Sequence, residues 1–215
     1  MRSWTAAAAA ITQGRPAPIR PEDANAPAES VETLRFFPAR LTLTFGFGAG
    51  MFTSNGKDRY GLANLRPEAL IDLPSFPGDQ MIEARTGGNL SVQATAGDPQ
   101  VAFHAIRHLR QLAYGAARIR WGQKGFLPEV KPDETPRNLL GFKDGTNNPP
   151  ASDETAMVKH VFVGEEGLSW MRGGSYVVAR RILLALEHWD RMKQDFQEHT
   201  IGRRRVTGAP LRRRG

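Results

Sequence analysis

The sequence predicts an α+β fold built on ferredoxin-like strand–helix–strand units. Three observations carry that prediction. Apolar and polar residues alternate over 41–47 and 90–94, a capped amphipathic helix opens at Asp98-Pro99, and a third alternating stretch follows over 117–121. Alternation at period two marks half-buried strands, whereas apolar residues recurring at helical spacing mark a core-facing helix stripe. Strand–helix–strand order is the signature of a split βαβ arrangement.

In chain order, Met1-Arg2-Ser3-Trp4, Thr5 and five alanines come first. Alanine is the strongest helix former, and Gly14 stops the run. The stretch has a single Arg and a weakly apolar centre, with no twin arginine, so it reads as an amphipathic helix rather than an export signal. Residues 15–33, rich in Pro, Ala and acids, read as an exposed connection. Leu41, Leu43, Phe45 and Phe47 alternate with threonines into Gly46, Gly48 and Gly50. Because no Gly-Lys-Ser/Thr follows, that glycine-rich exit is no phosphate loop. Residues 67–73 are expected as a short helical turn and 74–77 as a rigid extended loop. Leu90, Val92 and Ala94 mark the next strand. Asp98 then supplies an N-cap with proline at the first helical position, and Val101, Ile106, Leu109 and Leu112 face the core. Further on, strands are expected at 160–163 and 175–178. A long helix is expected over 179–199, with Ile182, Leu183, Leu186, Trp189, Met192 and Phe196 on one apolar stripe.

Bulk properties narrow the class. A chain of 215 residues has material for one large domain or two small ones. With 40% hydrophobic and 24% charged residues it has an ordinary globular composition, and no run of about 18 apolar residues suits a membrane span. The absence of cysteine excludes disulfides, thiolate metal sites and a cysteine nucleophile. The net charge of +7 is concentrated at the C-terminal end, where ten basic residues from Arg180 onward face four acids. That basic end has no interleaved aromatics between Arg203 and Gly215, and no nucleic-acid partner is expected.

One polar stretch stands apart from the elements: Gly141-Phe142-Lys143-Asp144-Gly145-Thr146-Asn147-Asn148-Pro149-Pro150. Gly141 and Gly145 permit positive φ or close approach of a large ligand. Thr146, Asn147 and Asn148 favour turns, and the prolines end any ladder. Asn138-Leu139-Leu140 is expected to be partly buried, so that Asp144 leaves a packed element into a pocket. An ordinary Asp-Gly turn between strands has the same local pattern. A phosphorylated-aspartate enzyme would also use an Asp in a polar loop, but no phosphate cradle or acidic metal cluster accompanies this one.

Gly141-Phe142-Lys143-Asp144-Gly145-Thr146 resembles the GxxDG signature of the dye-decolourising (DyP-type) haem peroxidases. The likeness extends, in the family's order, through Ala39 to Gly48, Asp72 to Asp79, Asp98 to Ala105, Gly173 to Ile182, Trp189-Asp190-Arg191 and Gly208-Ala209-Pro210-Leu211. The subgroup most resembled is that of the Tat-exported, deferrochelatase-like peroxidases, which implies a periplasmic or exported setting. The resemblance implies two ferredoxin-like domains of the dimeric α/β-barrel type: residues 1–123, a linker at 124–137, and a haem-binding domain from 138 to 215. The family's first strand has no counterpart before Arg2, and its proximal histidine and distal arginine follow the Gly-Ala-Pro-Leu segment. Both domains are therefore expected to be incomplete, the first lacking its opening strand and the second its C-terminal part.

The resemblance assigns chemistry as well. The cofactor implied is haem b, and the co-substrates are hydrogen peroxide and a reducing donor, dyes included, oxidised in one-electron steps. Asp144 is assigned as the distal acid/base. Splitting peroxide needs one oxygen deprotonated and the other protonated, which one positioned proton carrier can serve. Burial beside haem is expected to desolvate that carboxylate. Gly145, Thr146 and Asn147 are assigned to the haem edge, and Phe142 to packing. No metal ligand is assigned. His104 and His108 share a helix face without the acid of an HExxH pair, and none of His160, His188 and His199 occupies the family's axial position. Trp170, Tyr176 and Trp189 are read as core aromatics rather than electron relays. The competing expectation is a non-catalytic remnant with weak or no haem binding. An incomplete sheet would also expose edges, which predicts self-association into a homo-oligomer.

Overall fold

The computed structural model describes residues 1–17, 37–127, 129–131 and 134–211. Most of the expected connection over 15–33, three linker residues and the arginines at 212–214 lie outside the described residues. The chain divides into two compact units, Met1–Gln123 and Lys124–Gly215.

The first unit is two layers, helices on one face of an antiparallel ribbon. Its elements are α1 (Arg2–Ile11), β1 (Thr42–Phe47), β2 (Leu90–Thr95) and α2 (Pro99–Leu112). β1 and β2 pair from Thr42↔Thr95 to Phe47↔Leu90. This register places Leu43 opposite Ala94 and Phe45 opposite Val92. Those four line the inner face, and the intervening Thr42, Thr44, Ser91, Gln93 and Thr95 are exposed, as alternation requires. α2 begins as its sequence dictates: the Asp98 carboxylate accepts from the Gln100 N–H at 2.7 Å, with Pro99 in the first turn. Its inner face buries Val101, Ala105, His108, Leu109 and Leu112. α1 packs there through Ala7 and through Trp4, whose ring stacks on Phe45 at 5.6 Å while its indole N–H donates to the Leu109 carbonyl at 2.9 Å.

Between β1 and β2 the chain makes three short 3₁₀ turns, Ala49–Met51, Ala63–Leu65 and Glu83–Arg85. Asp58 organises the middle of this excursion by accepting the N–H groups of Tyr60, Leu62 and Ala63. The helical turn expected over 67–73 is a single hydrogen-bonded turn from Pro67 to Leu70. The strand expected over 117–121 does not form. Its side chains serve instead as props, with Arg120 donating to the carbonyls of Thr86 and Glu83 and Trp121 to that of Gly87.

The second unit departs further from the expected elements. It contains α3 (Glu154–His160), α4 (Leu186–Asp190) and α5 (Gln194–Ile201), and no strand among its described residues. Asp153 caps α3 by accepting from Ala156 at 2.9 Å. The capped helix absorbs His160, so of the strand expected over 160–163 only Val163 pairs, with Gly173 and Gly174. Tyr176, Val177 and Val178 are exposed and outside any ladder. A strand exists only as a pairing, and no described segment of this unit offers that stretch an edge. Of the helix expected over 179–199, residues 179–185 are not helical, and the rest is split into α4 and α5 by Lys193, whose backbone is extended (φ −62°, ψ 145°). The predicted stripe is not the buried face: Ile182, Leu183 and Phe196 are exposed, while Gln197 and Glu198 are buried.

A clamped turn as the candidate functional site

The stretch from Arg137 to Asn148 is a turn fastened from both sides. Arg137 and Lys143 form an isolated antiparallel bridge, and the Asp144 N–H donates to the Pro136 carbonyl at 2.9 Å. Within that frame the Asn138 side-chain oxygen accepts from the N–H groups of Leu140 and Phe142, the Asx pattern that lets Asn nucleate a turn. Gly141 (φ 83°) and Gly145 (φ 75°) take the left-handed backbone that glycine favours.

Packing holds the turn to α4 and α5. Phe142 is 1% exposed and meets Trp189 edge-on, with ring centroids 6.3 Å apart. The expected packing role of Phe142 is thus its observed one. Burial does not extend to Leu139, which is exposed. Trp189 is the half-buried partner in this pair, whereas Trp170 and Tyr176, expected in the core, are exposed. The Trp189 carbonyl accepts from Gln197 Nε2 at 2.7 Å, tying α4 to α5.

Cations and one buried acid complete the clamp. Arg137 Nη1 donates to the carbonyls of Gly141 at 2.9 Å and Arg205 at 2.6 Å, and Nη2 to that of Val206 at 2.9 Å. Glu198, 3% exposed, accepts from the Arg205 N–H at 3.0 Å, Arg204 Nη1 at 2.8 Å and Gln194 Nε2 at 3.0 Å. The Gln194 hydrogen bond, then those from Arg205 and Arg204, hold the Glu198 carboxyl down at about 2, because each donor favours the ionised form.

Asp144 leaves this frame into solvent. Its side chain is exposed, as are those of Thr146 and Asn147, with Gly145 half-buried between them. The expected desolvation of the carboxylate is therefore not found, because no described residue of this unit covers it. What the chain builds is an open polar edge, one carboxylate and short turn residues on a backbone secured from behind.

Residues 1–127 match the Dyp-type peroxidase N-terminal domain and residues 135–214 the Dyp-type peroxidase C-terminal domain. The chain belongs to the Dyp-type peroxidases. It is similar to the dye-decolorizing peroxidase of Thermobifida fusca, 36% identical over 98% of this chain and 47% of that protein. It is also similar to the deferrochelatase of Escherichia coli, 35% identical over 94% and 48%. Among solved structures, the DyP-type peroxidase from Streptomyces coelicolor superposes with a TM-score of 0.79 at 40% identity, over 97% of this chain and 53% of that one. Ferric DtpA from Streptomyces lividans gives 0.80 at 40%, over 98% and 54%. The chain spans about half the length of the curated relatives it matches. The α+β, ferredoxin-like class expected from the sequence is the fold of these Dyp-type structures.

Haem is the group this family implies, and the Asp144 edge fits one side of it. Gly145 carries no side chain and takes the left-handed backbone (φ 75°), with the Asn148 amide 2.9 Å from where its Cβ would stand, while Asp144, Thr146 and Asn147 are exposed along that edge. Among the described residues no three of His, Asp and Glu gather as a metal site. His160, His188 and His199 are exposed, and His199 pairs with Asp195 at 3.3 Å. His104 and His108 lie on α2 of the first unit, with His108 buried.

The sequence reading missed Arg137, Asn138, Glu198 and Arg205. Asn138, in a turn ahead of two glycines, was legible as a turn nucleator. Glu198 carried no signal, since its acid sits among exposed-looking polar residues of a helix.

Proposed function

We propose that this chain is part of a haem-dependent peroxidase that uses hydrogen peroxide to oxidise dyes or other reducing donors in one-electron steps, with Asp144 as its distal acid/base. The observation that carries the proposal is the exposed Asp144 carboxylate on a turn whose backbone is fixed at Pro136, Asn138 and Phe142. Family membership supplies the reaction class. Haem, when bound, would supply the iron that passes peroxide's two oxidising equivalents to the donor one electron at a time. Gly145, Thr146 and Asn147 would lie along its edge, with Gly145 allowing close backbone approach. The Asp144 carboxylate would accept a proton from one oxygen of hydrogen peroxide and return it to the oxygen that leaves as water, work for which one carboxylate at hydrogen-bond reach suffices. The reading of a non-catalytic remnant is not favoured by matches that run through both halves of the chain.

The test is a haemin titration of the 215-residue chain followed through the Soret band, with Asp144→Asn alongside. The variant is expected to bind haem like the parent and to react with peroxide about 10²–10⁴-fold more slowly. An unchanged peroxide rate would remove Asp144 from the mechanism. A broad, weak spectrum, indifferent to Asp144→Asn and to alanine at each of the five histidines, would overturn haem binding by this chain.

A further inference from the structure

Behind the Asp144 turn lies a relay of polar contacts, buried at Gln197 and Glu198 and exposed at Arg137, that the proton-transfer role does not use. It starts at Glu198, whose carboxylate gathers three donors while 3% exposed. α5 ends one turn later at Gly202, in the left-handed conformation (φ 78°). The chain then reverses, with Arg204 and Ala209 hydrogen-bonded and an isolated bridge at Arg203↔Pro210. Glu198 fastens this reversal by accepting the Arg205 backbone N–H and the Arg204 guanidinium together.

Arg205 carries the restraint forward. Its Nη1 donates to Gln197 Oε1 at 3.2 Å, and the guanidinium lies over Gly141. A Cβ placed on Gly141 would stand 2.8 Å from Arg205 Nη2 and 3.0 Å from Nε, so the guanidinium fills the space of the missing side chain. The Arg205 carbonyl meanwhile receives Arg137 Nη1 at 2.6 Å, and the same nitrogen binds the Gly141 carbonyl. Arg137 is bridged to Lys143, and its neighbour Pro136 accepts the Asp144 N–H. From Glu198 to Asp144 every link is therefore a hydrogen bond, a packed contact or one peptide unit.

We infer that Glu198 and Arg205 are positioning residues for Asp144: the buried carboxylate orders Arg205, and Arg205 with Arg137 sets where the Asp144 turn stands. The inference rests on the reading of Asp144 as the acid/base for its catalytic meaning, but the positional coupling is testable without it. Removing Glu198 leaves the Arg205 N–H and the Arg204 guanidinium without their shared acceptor. The Arg205 carbonyl then moves, and the Arg137 clamp with it. Contacts in one network of this kind are expected to couple rather than to act independently.

The test uses the full chain in solution. It reads amide hydrogen exchange at Gly141, Phe142 and Asp144 together with the carboxyl ¹³C resonance of Asp144. Glu198→Ala is expected to raise exchange at those three amides roughly tenfold, the loss of about one hydrogen bond's protection, and to shift the Asp144 resonance. α2 amides of the first unit should exchange as before. Arg205→Lys keeps the backbone N–H to Glu198 and removes the fork over Gly141, so it should shift the same resonance with α5 intact. Glu198→Gln, which keeps an acceptor for the Arg205 N–H, should restore most of the amide protection. A general loss of structure would show as faster exchange throughout the unit without rescue by Gln, and would overturn the inference. So would an unmoved Asp144 resonance in Arg205→Lys, the variant that decides if Glu198→Ala does not fold. A failure of the acid/base reading would appear separately, as unchanged peroxide reactivity in Asp144→Asn.

Discussion

Arg137 and Arg205 meet through a hydrogen bond at 2.6 Å, from the guanidinium of the first to the carbonyl of the second. Two cations are thus joined by a backbone oxygen, not opposed across a gap. The buried acid Glu198 accepts the backbone N–H of the second of them and pairs its charge with the neighbouring Arg204 guanidinium at 2.8 Å. Arg137 reaches Gly141 and Val206 as well, so one side chain ties the turn carrying Asp144 to the loop leaving α5. Lysine has one compact ammonium where this contact needs a planar fork.

Gly141→Ala should destabilise the second unit by roughly 1–3 kcal/mol, the cost of a non-glycine residue at positive φ, and displace Arg205 as well. Gly145→Ala should cost less. Its Cβ would press on the end of the Asn148 side chain at 2.9 Å, which can swing away, whereas Arg205 is held by Gln197 and Glu198. Urea unfolding of both variants, followed by circular dichroism, checks the order. Equal midpoints would show that the Arg205 contact does not matter.

Phe142→Ala should lower stability by about 3–5 kcal/mol, the range for truncating a buried aromatic. Phe142 is 1% exposed and carries the edge-on contact with Trp189. The denaturation midpoint should fall with little change in slope. A shift no larger than that of a surface variant such as Leu139→Ala would mean the ring is not a packing anchor.

Glu198 sets an acid limit on the second unit. Its folded value near 2 lies below the ordinary 4.5, so the folded state binds its proton less readily than the unfolded chain. The stabilisation it contributes is full above about pH 5, and is lost as pH falls from about 4.5 towards 2. Thermal melts of the parent and Glu198→Gln should converge across that window and differ most near neutrality. Parallel curves would show that another group governs the acid transition.

Apolar side chains exposed in the second unit lead us to expect self-association. Val177 is 79% exposed and Leu183 97%, and an unpaired strand-like segment invites pairing with another chain. The 215-residue chain is expected to elute larger than a monomer, and Val177→Lys with Leu183→Lys to reduce its apparent size. A monomer in both cases would overturn the expected homo-oligomer.

By itself the sequence determined whatever depends on neighbours in the chain. The alternation of Leu43 and Phe45, the Asp98-Pro99 start of α2, the alanine helix and the Gly141–Gly145 turn were legible because propensity, capping and period act over a few residues. Tertiary structure decided what depends on distant partners. The segment around Val177 has a strand's composition and no ladder, because a strand's hydrogen bonds belong to its neighbour. The apolar stripe from Ile182 to Phe196 looked inward by period, yet no helix forms before Leu186, the chain breaks again at Lys193, and the unit buries Gln197 and Glu198 instead. A buried charge becomes tolerable only when its donors arrive together in space. Glu198's donors come from positions 194, 204 and 205, and the restraint passes on to 137. No spacing rule along the chain anticipates that meeting. It exists only because the α5 exit folds back on the Asp144 turn.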